Sequence, residues 1–161
     1  AALVGSVTAS FKSDSEPSRL NLPERCDPDS VADASACAPY QKFYIAHQRQ
    51  FDLSIQALRV QVRKGAAGLS PEMAQLAELD AMLAPAVTSH ARKCYAAIPT
   101  LLHQHFAHLH RDYQAARQAQ QTPADFVELF CQQIRTVLLA EVEYRLLPVL
   151  GLIEAINQKK Q

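Results

Sequence analysis

The helical spacing of apolar residues is the feature that most constrains this fold. From Tyr40 to Ile156 the large apolar residues recur three or four positions apart, and no segment alternates apolar and polar residues as a β-strand does. An α-helix completes a turn every ~3.6 residues, so this spacing places the apolar side chains on one helix face. The chain is therefore predicted to be all-α.

Prolines and glycines divide the pattern into helical segments. Gly65 and Gly68 are predicted to end the first segment, and Ser70 followed by Pro71 has the form of an N-cap with a first-turn proline. Pro85 and Pro148 are predicted to kink continuous helices. The predicted segments are 39–64, 71–97, 99–119 and 123–157. Their short connections predict an antiparallel bundle.

Residues 1–38 differ in composition from the rest of the chain. They are rich in Ser, Asp and Pro, and such a segment buries too little apolar surface to offset the entropy lost on ordering. They are predicted to form a mobile N-terminal arm or linker, with residues 39–161 as the helical domain. Cys26 and Cys37 lie in this arm and are predicted to be free thiols.

Charge and motif content exclude several classes of function. Lys plus Arg and Asp plus Glu each number 16, so the chain lacks the positive field that draws proteins to nucleic acid. No apolar run approaches the ~20 residues that span a bilayer. P-loop, GxSxG and GxGxxG motifs are absent. The sequence predicts no nucleic-acid partner, no membrane insertion, no cofactor and, on balance, no enzyme.

A cluster of histidines in the third segment is the candidate metal site. His105, His108 and Asp112 share one flank of the helix, at spacings of three and four residues that suit a single Zn²⁺ or Fe²⁺. The HExxH general base is missing. A metal site, a solvated polar flank and a pH-responsive cluster all remain open at this point.

Two polar residues interrupt the apolar arc of the second segment. Asp80 and His90 fall within the apolar arc of the second segment, which includes Leu79 and Leu83. Asp80 is predicted to be a paired carboxylate that fixes helix register, with exposure or a binding role as alternatives.

Glu141 and Arg145 are four residues apart in the last segment, where apolar residues flank them. This spacing predicts an ion pair within one helix. A pair that contacts a partner protein is the alternative.

Surplus apolar residues favour a protein-interaction module over a catalyst. Ile45, Leu53, Leu139 and Leu150 lie off the main apolar stripes of their helices. Contiguous apolar surface beyond the core is typical of interfaces. The partner is predicted to be another protein or a further copy of this chain.

Several short runs resemble a proteobacterial family catalogued as domain of unknown function 3348, over roughly residues 44–157. The runs are 46–49 (AHQR), 69–71 (LSP) with 76–81 (LAELDA), 98–102 (IPTLL) with 105–106 (HF), 138–141 (LLAE), and 147–155 (LPVLGLIEA). The family's genes lie near those for membrane proteins of the outer-membrane-protein-A and flagellar-motor-stator types. The resemblance implies a cytoplasmic accessory to an envelope complex, a further N-terminal helical part and no catalytic residues.

Overall fold

The computed structural model describes residues 5, 7–9, 11 and 20–159. Four long helices dominate this part of the chain: α1 (Ala38–Ala67), α2 (Pro71–Tyr95), α3 (Ile98–Gln118) and α4 (Phe126–Lys159). Two 3₁₀ turns, at Pro28–Ser30 and Ala34–Cys37, precede them, and no strand occurs among the described residues. The all-α prediction is confirmed. None of these helices combines the length and the apolar character that crossing a membrane requires.

Helix α1 continues past the point where glycine was predicted to end it. Gly65 is helical, and α1 ends at Ala67 rather than at residue 64. Ala66 is fully buried against Met73 and Ala77, so packing offsets the roughly 1 kcal/mol by which glycine disfavours a helix interior. No described glycine has a positive φ, and the glycine C-cap predicted here does not form.

The prolines lie where the sequence pattern placed them. Pro85 and Pro148 are inside the continuous helices α2 and α4. Pro99 is in the first turn of α3, where its missing N–H is not needed. The break between α2 and α3 lies at 96–97, so Ile98 is already helical. Four segments is therefore the correct count for the described helices.

Helix α4 begins later than predicted, because Asp125 rather than Thr122 caps it. The Asp125 Oδ1 atom accepts hydrogen bonds from the backbone N–H groups of Val127 and Glu128, each at 3.0 Å. The other carboxylate oxygen pairs with Arg25, which also donates to Glu128 at 2.8 Å. Residues 121–125 are consequently outside the helix.

Replacing Asp125 with Ala is expected to lower the free energy of unfolding by about 1–2 kcal/mol, as loss of an N-cap does. Urea denaturation followed by circular dichroism measures the change. Glu143→Ala, at an exposed helical position, is the control and is expected to stay within about 0.5 kcal/mol of the wild type. Equal stability of both variants would contradict the capping role.

The chain divides into two compact units. Unit 1 comprises Ala1–Gln48 and Ala97–Ala140, and unit 2 comprises Arg49–Ala96 and Glu141–Gln161. The core of unit 1 is aromatic. Phe130 packs edge-on against Phe106, with ring centroids 5.0 Å apart, and against Tyr40 at 5.7 Å.

The N-terminal segment is part of unit 1. Val31 and Cys37 are buried, and the Val31 carbonyl oxygen lies 3.1 Å from the His110 Nε2 atom. Asp29 pairs with Tyr113 and Arg117 on α3. The division of the chain into a mobile arm and a domain from residue 39 stays a prediction, which amide hydrogen exchange over residues 20–38 tests.

Helix α2 packs only part of its predicted apolar arc inward. Met73 and Ala77 are buried, and Leu76 packs against them together with Ile156. Leu79, Leu83 and Val87, predicted to belong to the apolar arc, are exposed. The reason is Asp80, which lies on the inward face and forms ion pairs there. The inside of α2 therefore combines apolar residues in its first half with the Asp80 ion pairs, while Leu79, Leu83 and Val87 lie outside.

Candidate functional site

Unit 2 contains a partly open apolar groove. Its volume is about 670 Å³, and α1, α2 and α4 each line it. Apolar side chains form most of its floor and walls, among them Phe51, Ile55, Pro85 and Leu147. On the α2 side of the groove the lining includes three small side chains, those of Ala81, Ala84 and Ala91. A groove of this size and character accepts a small ligand or the side chains of a docked helix.

An ion-pair network lies at one end of the groove. Asp52 on α1 pairs with Arg92 on α2, at 3.0 Å between Nε and Oδ2, and with Arg145 on α4. Arg145 also pairs with Glu141, whose exposed fraction is only 2%. The ion pair predicted for Glu141 and Arg145 is thus confirmed, and it is shielded from solvent.

Tyr95 completes this network. The guanidinium carbon of Arg145 lies 4.6 Å from the centroid of the Tyr95 ring, in a cation–π arrangement. Burial of the phenol, and secondarily the negative charge of Glu141, raise the pKa of Tyr95. The phenol therefore stays neutral, and the arginine is held by a carboxylate pair on one side and an aromatic ring on the other.

A second ion-pair cluster joins α1 to α2. Asp80 accepts two hydrogen bonds from Arg59, one of them from Nε at 2.8 Å, and Arg63 approaches the same carboxylate at 3.6 Å. This bidentate pairing confirms that Asp80 is a paired carboxylate that links neighbouring helices. His90 was predicted to share the inward arc and is instead exposed, because α2 presents its Asp80 face to α1.

Positive charge exceeds negative charge around the groove. The lining residues include five cations, namely Arg59, Arg63, Arg92, Lys93 and Arg145. Against them stand three carboxylates, Asp52 in the lining and Asp80 and Glu141 paired with lining arginines. An excess of two positive charges remains, so the groove favours an occupant that carries carboxylates.

The histidine cluster lies in unit 1, away from the groove residues in the sequence. His108 and Asp112 meet at 3.4 Å between Nε2 and Oδ2, and both side chains are exposed. His105 Nε2 instead lies 2.6 Å from the side-chain oxygen of Gln133. No group of three or more His, Cys, Asp or Glu among the described residues is placed to hold a metal ion. Metal binding by His105, His108 and Asp112 stays a prediction.

The cysteines are all free, as predicted for Cys26 and Cys37. Burial raises the pKa of the Cys37 thiol to about 12 and, together with Glu128, that of Cys131 to about 11. Both thiols are therefore protonated at neutral pH and pack as small apolar groups.

Comparison with known families gives one match. Residues 1–158 match the family described as Protein of unknown function (DUF3348). The chain belongs to this family. The match extends to the N-terminal segment, which the resemblance over residues 44–157 had left out. Comparison with curated proteins and with solved structures finds no match.

Two residues that organise the groove of this DUF3348 chain were not singled out from its sequence. Asp52 and Arg92 are separated by 40 positions and meet only in the folded chain. A signal for the α1 side was present, because Asp52, Arg59 and Arg63 recur at helical spacing and place a charged stripe on one face of α1. Nothing in the pattern showed which helix that stripe faces.

Proposed function

We propose that this chain is a non-enzymatic cytoplasmic interaction module whose unit 2 groove binds an amphipathic helix of another protein. The partner helix presents apolar residues to the groove floor and carboxylates to its positive rim. The family resemblance supports a partner that belongs to an envelope complex.

The distribution of exposed apolar residues carries this proposal. Twelve large apolar side chains are exposed within the described residues, and ten of them belong to unit 2. They are Leu53, Val60, Leu69, Leu79, Met82, Leu83, Val87, Tyr144, Leu147 and Leu150. Three of these ten, Val87, Tyr144 and Leu147, line the groove, and contiguous apolar surface of this kind is typical of an interaction site.

The groove supports a helix as the occupant. Three exposed apolar side chains of the groove can contact apolar residues of an occupant: Val87, Tyr144 and Leu147. The small side chains of Ala81, Ala84 and Ala91 allow a second helix backbone to come close. The excess of cations then selects for carboxylates on the flanks of that helix.

In-cell photo-crosslinking tests the proposal. A photoreactive phenylalanine derivative is placed at Leu147 in the groove and, as the matched control, at Leu101 in unit 1; their exposed fractions are 55% and 56%. We expect a single protein adduct from position 147 and none from position 101. The crosslinked peptide should be an amphipathic helical segment with acidic residues. Equal labelling from both positions, or no adduct at 147, would refute the proposal.

The identified segment, made as a synthetic peptide, gives the quantitative test. Leu147→Glu is expected to weaken its binding at least about tenfold, since a central apolar contact is lost and a carboxylate is added. Leu101→Glu should leave the affinity unchanged. Both substitutions are at exposed positions, so thermal unfolding of the two variants should match.

A further inference from the structure

Helix α2 carries an exposed apolar stripe that the groove does not explain. Leu79, Met82, Leu83 and Val87 are between 44% and 66% exposed. Ala86 and His90 are also exposed and lie on the same face at helical spacing. These six residues are called the α2 stripe here. Only Val87 among them lines the groove, so the stripe is largely a separate surface.

The α2 stripes of two chains are complementary when the two helices run antiparallel. A two-fold axis placed between positions 84 and 85 sets Leu79 opposite His90, Met82 opposite Val87, and Leu83 opposite Ala86. The last of these pairs sets a large side chain against a small one, as interdigitating helices require. A contact that repeats under a two-fold axis is what a closed dimer uses.

Charge selects the same antiparallel orientation. Glu78 and Lys93 lie on one flank of the stripe, and both are exposed. Neither takes part in an ion pair with another described residue. In the antiparallel arrangement Glu78 of one chain lies within ~3 Å, along the axis, of the position of Lys93 in the other. In a parallel arrangement Glu78 of one chain and Lys93 of the other would lie roughly 22 Å apart along the helix axis, so this ion pair would not form.

We propose that the α2 stripe is a homodimer interface, in which a second copy of this chain packs its own α2 antiparallel across a two-fold axis. The interface explains why Leu79, Met82, Leu83 and Val87 are exposed in the single chain: the partner copy covers them. This goes beyond the groove function and does not depend on it.

Sedimentation equilibrium of the full chain tests the proposal. We expect twice the chain mass at micromolar concentration and at least a tenfold weaker dimer for Met82→Glu. Leu53→Glu is the matched control, because Leu53 is 67% exposed and Met82 66%, and it should dimerise as the wild type does. A wild-type monomer at about 0.1 mM chain, or equal loss in both variants, would overturn the proposal. Circular dichroism confirms that each variant remains helical.

A charge exchange tests the orientation. Glu78→Lys and Lys93→Glu are each expected to weaken the dimer several-fold, because like charges then meet across the axis twice. The double variant should recover wild-type affinity. Unchanged dimers in the single variants, or no recovery in the double variant, would rule out the antiparallel arrangement. Met82 does not line the groove, so crosslinking from Leu147 in the Met82→Glu variant reports on the groove proposal separately.

Discussion

An Arg145→Met variant is expected to unfold with a free energy about 3–5 kcal/mol below that of the wild type, the range measured when one partner of a buried ion pair is removed. Glu141 is 2% exposed, and without Arg145 its carboxylate would have to remain charged in a site that excludes water. Asp52 would also lose one of its two arginines. Methionine retains much of the side-chain volume, so the effect reports on charge rather than on a cavity.

The double variant Glu141→Leu/Arg145→Met separates charge from packing. Removing both partners leaves no uncompensated charge, and such replacements are often neutral. We expect it to recover most of the stability that the single variant loses. Chemical denaturation measures both.

The pair His108 and Asp112 has the same i, i+4 spacing but is exposed, and Asp112→Asn there should change stability by less than about 0.5 kcal/mol. If the two sites gave similar losses, burial would not be what makes the Glu141–Arg145 pair important.

The comparison of these two pairs shows what spacing can predict. Sequence reasoning predicted the Glu141–Arg145 ion pair and placed His108 and Asp112 on one flank of a helix, and the residues of each pair meet in the fold. Spacing determines which residues of one helix are neighbours, whatever the rest of the chain does. It does not determine burial, which depends on what packs over the helix. The Glu141–Arg145 pair is therefore expected to contribute more to stability than the His108–Asp112 pair, although the two have the same spacing.

The same limit explains the error in α2. Helix bounds were predicted within three residues at every end, because caps and prolines act locally. The predicted arc was correct for Asp80, which pairs with two arginines of α1, and wrong for Leu79, Leu83 and His90, which are exposed. A single sequence does not show which residues form a long-range ion pair. It did predict that Leu53 and Leu150 would be surplus apolar residues, and both are exposed, but it did not show what covers them.

His47 makes the stability of this chain dependent on pH, with an expected loss of about 3 kcal/mol between pH 7 and pH 4. Its side chain is 2% exposed and lies against Phe43, with ring centroids 4.6 Å apart. Burial lowers the pKa of His47 from 6.5 to about 4, because the charged imidazolium is disfavoured away from water. The folded chain therefore keeps this imidazole neutral at a pH where the unfolded chain protonates it.

The sign and the pH window follow from these two values. Above about pH 6.5 neither state binds the proton, and His47 causes no pH dependence. As the pH falls from 6.5 towards 4 the unfolded state gains a proton that the folded state does not, so stability decreases progressively.

Unfolding free energies measured at pH 7, 5.5 and 4 should show a fall in the wild type that exceeds the fall in His47→Leu by about 3 kcal/mol, since carboxylate titration affects both proteins alike. Parallel profiles for wild type and His47→Leu would mean that the His47 imidazole is protonated as readily in the folded chain as in the unfolded one.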